Sequence, residues 1–309
     1  MSLKSISRKE ENIMKKKTLA IIVAILAVVL CFTLAACGDK TDVDDNILDQ
    51  GSTNAGDVVD ATDATDDTDE APTTVEDLAR IKAAGKMIVG MTIYEPMNYW
   101  TDETKTELTG FDTEFALAVG EKLGVEIEFV EITWGRKFEE LDAKTIDCVW
   151  NGMTITDEAL ANSSVSDAYI KNAQVLVMKE DVIADYTDID SIKDLTFAVE
   201  SGSAGEAVLT DLGIENVTAV LDQANALLEV KSGIADACVI DITMAKAMTG
   251  EGTSNANLTY GLELSTEEYG ISCRENSDLT AEINKIMAEM KADGTLQALA
   301  DKYQLNLAA

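Results

Sequence analysis

The chain has 309 residues, no histidine, and 57 aspartates and glutamates against 24 lysines and arginines, for a formal net charge of −33. That length suits one or two domains with sizeable cores. The charge excludes electrostatic binding to nucleic acid or to an anionic bilayer, and the missing imidazoles exclude histidine-ligated metals and histidine-based catalysis.

Lys15-Lys16-Lys17 precedes an apolar run, Leu19 to Ala36, that ends in Leu34-Ala35-Ala36-Cys37. A charged start, an apolar centre and small residues before a cut site form a secretory signal peptide, here residues 1–36. The small pair followed by Cys37 resembles a bacterial lipobox, which implies cleavage before Cys37 and diacylglycerol on its sulfur. An uncleaved membrane anchor is the alternative, since the run almost suffices to span. Met14 is a second candidate start. A lipidated Cys37 places the protein on the extracellular face of the cell membrane without spanning it. Residues 37–74 then read as a disordered acidic tether, low in hydrophobicity and of one charge sign. Its aspartates lack the glycine and terminal glutamate of a calcium loop, so no metal and no cofactor is expected.

From Val75 the texture becomes a regular α/β rhythm. Strands are expected at Met87–Gly90, Val125–Ile132, Cys148–Trp150 and Val175–Met178, with helices at Phe111–Leu123 and Gly135–Ala143. A second set follows: strands at Thr196–Val199, Val217–Val220 and Ala237–Ile240, helices at Ala204–Leu212 and Asp222–Ser232. The end is helical, with Leu279, Ile283, Ile286, Met287 and Met290 as one apolar stripe before Asp293-Gly294. Alternating strands and helices imply parallel sheets covered on both faces. The stretches Lys144–Asn151 and Gly233–Asp241 echo each other, which suggests two similar lobes, with Asn151 and Asp241 facing across a cleft at strand ends. Cys148, Cys238 and Cys273, odd in number and at no metal spacing, read as small buried side chains.

Several stretches now match a family in order: Val89-Gly90 with Tyr94-Glu95-Pro96, Gly110-Phe111-Asp112, Gly152-Met153-Thr154-Ile155-Thr156, Ser166-Asp167-Ala168-Tyr169, Glu200-Ser201-Gly202-Ser203, Tyr269-Gly270-Ile271 and Ala292-Asp293-Gly294-Thr295. From about Leu78 to Leu305 the chain resembles the extracellular solute-binding proteins of polar-amino-acid ABC importers. The resemblance implies a two-lobed periplasmic-binding-protein fold of type II, α/β, with two hinge crossovers. Lobe one would be residues 75–177 plus 264–309, and lobe two residues 178–263.

The resemblance also implies a site. Tyr94 matches the aromatic that stacks on the ligand, and Trp134 the opposite wall; either also suits an ordinary core. Thr154 and Gly152 match ligand contacts. Ser201-Gly202-Ser203 opens a helix whose free N–H groups suit a carboxylate, or is a plain turn. Asp241 matches the partner of the ligand ammonium, with a helix N-cap as the alternative. In the family pattern an arginine that clamps the ligand carboxylate follows Thr-Ile-Thr; here the run reads Asp157-Glu158-Ala159. Three repairs stand open: another cation, with Arg136 ahead of Lys137 and Lys171; the Ser201–Ala204 turn alone; or a ligand without that carboxylate, an amine or other cation held by π faces and Asp241.

The implied function is therefore a lipid-anchored extracellular receptor, not an enzyme, whose partners are a small polar solute (an amino acid or amine), an ABC permease and, through Cys37, the membrane. A cleft enzyme of the dehydratase type on the same fold, and a sensor lipoprotein, are the alternatives. No paired acid–base constellation supports catalysis.

Overall fold

The structure is a computed structural model and describes residues 74–102 and 104–309. The leader, Cys37 and, except for Thr74, the tether lie outside the described residues.

Helix α1 (Asp77–Ala84) precedes strand β1 (Lys86–Met91) and ends at Gly85, whose left-handed φ of 71° lets its N–H reach the last carbonyls. Helix α2 (Phe111–Leu123) buries Phe111, Phe115, Ala116 and Val119. Next come β2 (Glu126–Glu131), α3 (Lys137–Asp142), β3 (Cys148–Thr154), α4 (Asp157–Asn162) and β4 (Ile170–Lys179). The second set is β5 (Phe197–Glu200), α5 (Ala204–Asp211), β6 (Val217–Val220), α6 (Gln223–Ser232), β7 (Ala237–Asp241) and α7 (Ile242–Met248). The 16-residue strand β8 (Leu258–Cys273) leads to α8 (Leu279–Ala292) and α9 (Thr295–Lys302).

The strands form one nine-stranded sheet in the order β2-β1-β3-β8-β4-β7-β5-β6, with the short strand Ser164–Val165 paired to β8. Two separate parallel sheets were the expectation. The flanks are indeed parallel, β2-β1-β3 on one side and β7-β5-β6 on the other. The centre is antiparallel, and its length is the reason: β8 pairs with β4 from Leu258↔Lys179 to Tyr269↔Ile170, so the two strands run through both flanks and weld them. Register shifts between Tyr260 and Ser265 break this ladder locally, as bulges do where a strand must bend.

The largest apolar cluster centres on aromatic contacts. Phe115 meets Trp150 edge-on with centroids 4.9 Å apart, and Phe111 stacks on Tyr169 at 6.0 Å. A second cluster packs Leu176, Phe197, Val199, Leu209 and Val239; a third packs Trp134, Leu141, Ile146, Val149 and Met153. Cys148, Cys238 and Cys273 are free and buried. A buried polar knot joins the first helix to the end of β8: Asp77 receives Arg274 at 3.2 Å, Ser277 at 2.9 Å and Arg80 at 2.9 Å.

Candidate functional site

A cavity of about 410 Å³ opens at the strand ends, lined by residues from β3, β5, β7, β8, the loop after β1 and the starts of α3, α4 and α5. Ligands in open α/β sheets bind at such carboxyl ends. Tyr94, Trp134, Gly152, Thr154, Gly202, Ser203 and Asp241 line it, as does Asn151, the residue expected opposite Asp241. Ser201 is exposed and does not line it.

Arg136 is corrected by the structure. Its side chain is 66% exposed and pairs with Glu139 at 2.8 Å, one turn along the exposed face of α3. The neighbouring Lys137 lines the cavity instead and is buried. Its Nζ donates to the Gly202 carbonyl at 3.0 Å and lies 4.8 Å from the Trp134 ring centre. Burial pulls its pKa down. Lys171 does not line this cavity.

Asp241 ends β7 and sits at the N-cap position of α7, yet its side chain makes no capping bond. The carboxylate turns to the cavity and is held there. Oδ1 accepts from Gln174 at 3.0 Å, from Tyr269 at 2.7 Å and from Asn172; Oδ2 accepts from Gln223 alone. Burial, then the neighbouring Glu267, pushes its carboxyl up to about 7. Glu267 in turn accepts from Thr154 at 2.8 Å and from Gln174 at 2.8 Å, so the two carboxylates share Gln174. Tyr94 is fixed by its hydroxyl, which bonds Tyr269 and Thr243.

Two glycines are required by geometry. Gly152 has φ +55°, and a Cβ there would meet the Tyr94 ring at 2.6 Å; its N–H is held by the buried carboxylate of Asp112. Gly202 has φ +72°, and a Cβ would meet Gly135 Cα at 2.8 Å. The turn at Ser201–Ala204 is partly used by its own helix. The Gly202 N–H donates to Glu206 Oε2 at 2.7 Å, and the Glu206 N–H donates back to Ser203 Oγ at 3.2 Å, a reciprocal cap.

Ala159 is buried at the first turn of α4, where its N–H is capped by Thr156 Oγ1 at 3.1 Å, and no guanidinium lines the cavity. Glu200, Gln223 and Glu267 escaped sequence reasoning. For Glu200 a signal existed: Phe197–Glu200, like Val239–Asp241, is an apolar strand ending in a carboxylate. Glu267 lies in a polar stretch of β8 that carries no such mark. Among the described residues no group of acidic or cysteine side chains is arranged to hold a metal.

A strand-end cavity with a fixed carboxylate and aromatic walls, on a fold of this order, defines a solute-binding protein. The family model for bacterial extracellular solute-binding proteins, family 3, matches residues 87–306, and the chain belongs to that family. It is 32% identical over 231 residues to the L-cystine-binding protein TcyJ of Escherichia coli, covering 73% of this chain and 85% of that one. With the arginine-binding extracellular protein ArtP of Bacillus subtilis it shares 31% identity, over 71% of this chain and 86% of the relative. The crystal structure of a mutant of ArgBP from T. maritima superposes with a TM-score of 0.68 at 31% identity, covering 73% of this chain and 98% of that one. The fold they share is a two-domain α/β fold of the periplasmic-binding-protein kind, extracellular or periplasmic in setting, and it serves non-catalytic solute binding of the ABC-importer type.

Proposed function

We propose that this chain is a lipid-anchored receptor that captures a small polar solute bearing an ammonium group, an amino acid or a derivative, and presents it to an ABC permease. Asp241 carries the reading: a buried carboxylate, kept from its helix-capping role and aimed into a cavity with one lone-pair side of Oδ2 left for a cation. Tyr94 and Trp134 wall the solute, and Thr154, Gly152 and the Gly202-Ser203 turn bound it. The lobes are residues 75–177 plus 264–309 and residues 178–263, with β4 and β8 as the two hinge crossovers. Closure brings Gly202 against Gly135 and Lys137 onto the Gly202 carbonyl. Residues 1–36 are the leader, Cys37 the lipid site, and residues 37–74 the tether that lets the lobes reach the permease from the extracellular face.

A thermal-shift screen of the purified full chain against amino acids, polyamines and betaines tests this. At least one compound raises the unfolding midpoint in a saturable way, as ligand linkage requires. A flat response to all three classes rejects the reading.

A further inference from the structure

Six carboxylates line the cavity (Asp157, Glu158, Glu200, Asp211, Asp241 and Glu267), and one cation, Lys137, faces them. An acidic lining alone has many explanations, but Glu200 adds an independent one. It is 3% exposed, yet its Oε1 has no hydrogen-bond partner. A buried carboxylate oxygen without a donor is costly, so a donor is expected to arrive from elsewhere. Glu200 ends β5 and Asp241 ends β7, and the two strands are parallel neighbours paired Ala237↔Phe197 and Cys238↔Ala198. Both carboxylates stand at the carboxyl ends of neighbouring strands and line the same cavity.

The anion side of the cavity is correspondingly empty. Lys137 is engaged by the Gly202 carbonyl and the Trp134 ring. The turn before α5 spends the Gly202 N–H on Glu206, and no arginine lines the walls. Among the described residues that leaves no guanidinium to clamp a solute carboxylate, against two buried acids that face the cavity.

Resting on the receptor reading above, we infer that the solute this cavity is built for carries two positive charges, Asp241 holding one and Glu200 the other, and that it needs no carboxylate of its own. Glu200 is then the residue that sets specificity between dications and ordinary zwitterions. Its empty-state chemistry fits: burial, then Asp241 and Asp222, pushes its carboxyl up to about 8, with Gln223 and Lys137 pulling the other way. The uncharged acid is tolerable when the cavity is empty, and an arriving cation draws off its proton.

Calorimetry of the full chain with four probes tests this: L-arginine, agmatine (the same cation without its carboxylate), L-citrulline (the same shape without the side-chain charge) and L-glutamine. Agmatine binds within about 10-fold of arginine or tighter, and citrulline and glutamine bind at least about 100-fold more weakly, the scale on which a buried group left unpaired discriminates. Glu200→Gln weakens agmatine by at least about 10-fold, and does so without lowering the unfolding midpoint of the empty protein, so misfolding does not account for the loss. Citrulline or glutamine binding as tightly as agmatine overturns the inference while leaving the receptor reading intact. Arginine binding with agmatine lost overturns it too, and points to Lys137 as a carboxylate partner. Unchanged agmatine affinity in Glu200→Gln removes Glu200 from the role. Binding of no probe, together with a flat response in the wider screen, rejects both readings.

Discussion

At the scale of single residues, the cavity stores its charge as protons. Glu200 sits at about 8 against an ordinary 4.5, and Asp241 at about 7 against 3.8, both chiefly because burial disfavours the anion. Between the ordinary and the raised values the folded chain holds protons that the unfolded chain has released. Stability of the empty protein therefore falls as pH rises from about 4 to about 8, and is fully present below that window. Carboxylates held low by partners, such as Asp77 and Glu114, act only in more acid solution. The unfolding midpoint should drop by about several degrees between pH 5.5 and 8.5, and Glu200→Gln should flatten that slope. A midpoint that rises across the window, or a slope unchanged by the substitution, contradicts this account of the two acids.

At the scale of elements, two contacts make separable predictions. The Gly202 turn before α5 approaches Gly135 so closely that a methyl group has no room, and its φ of +72° disfavours any side chain. Gly202→Ala should weaken solute binding by about 10-fold or more through lost closure, beside about 1–2 kcal/mol of stability lost to the left-handed backbone; undiminished affinity by calorimetry would show that the contact is incidental. The knot under α1 is structural instead. Arg274 is 6% exposed and bonds Asp77 and the Leu141 carbonyl. Arg274→Met takes one of three donors from Asp77, leaving Arg80 and Ser277, and should cost about 1–3 kcal/mol in urea unfolding while leaving solute affinity unchanged.

Much of this layer was legible beforehand. The strand ending in Asp241 and the buried cysteines follow from patterning and composition, because burial imposes those patterns directly; β3, expected to stop before Asn151, runs on to Thr154. Strand β8 was not among the strands legible in the sequence. Its segment Ser265–Glu268 is polar and half exposed, so it shows no apolar alternation, and only pairing with β4 makes it a strand. Arg136 and Lys137 were ranked in the wrong order for the same kind of reason: adjacent positions on a helix start point about 100° apart, and sequence does not say which faces the cavity.

At the scale of the whole molecule, the proposed hinge and anchor follow from connectivity. If only β4 and β8 join the lobes, closure is the soft motion, and small-angle scattering should show a smaller radius of gyration with saturating solute. On the proposed anchoring, Cys37→Ala should release the protein from membranes or leave its leader unprocessed, because a lipid on Cys37 would be what holds it; full membrane retention of a processed variant would contradict that. The proposed strand-end cavity takes a cationic solute through Asp241. Asp241→Asn keeps the shape and removes the charge, and titration calorimetry of the full chain with the tightest solute from the screen measures the difference. The expected loss is about 2–4 kcal/mol, as for other desolvated charge pairs. Affinity equal to that of the wild-type chain would contradict it.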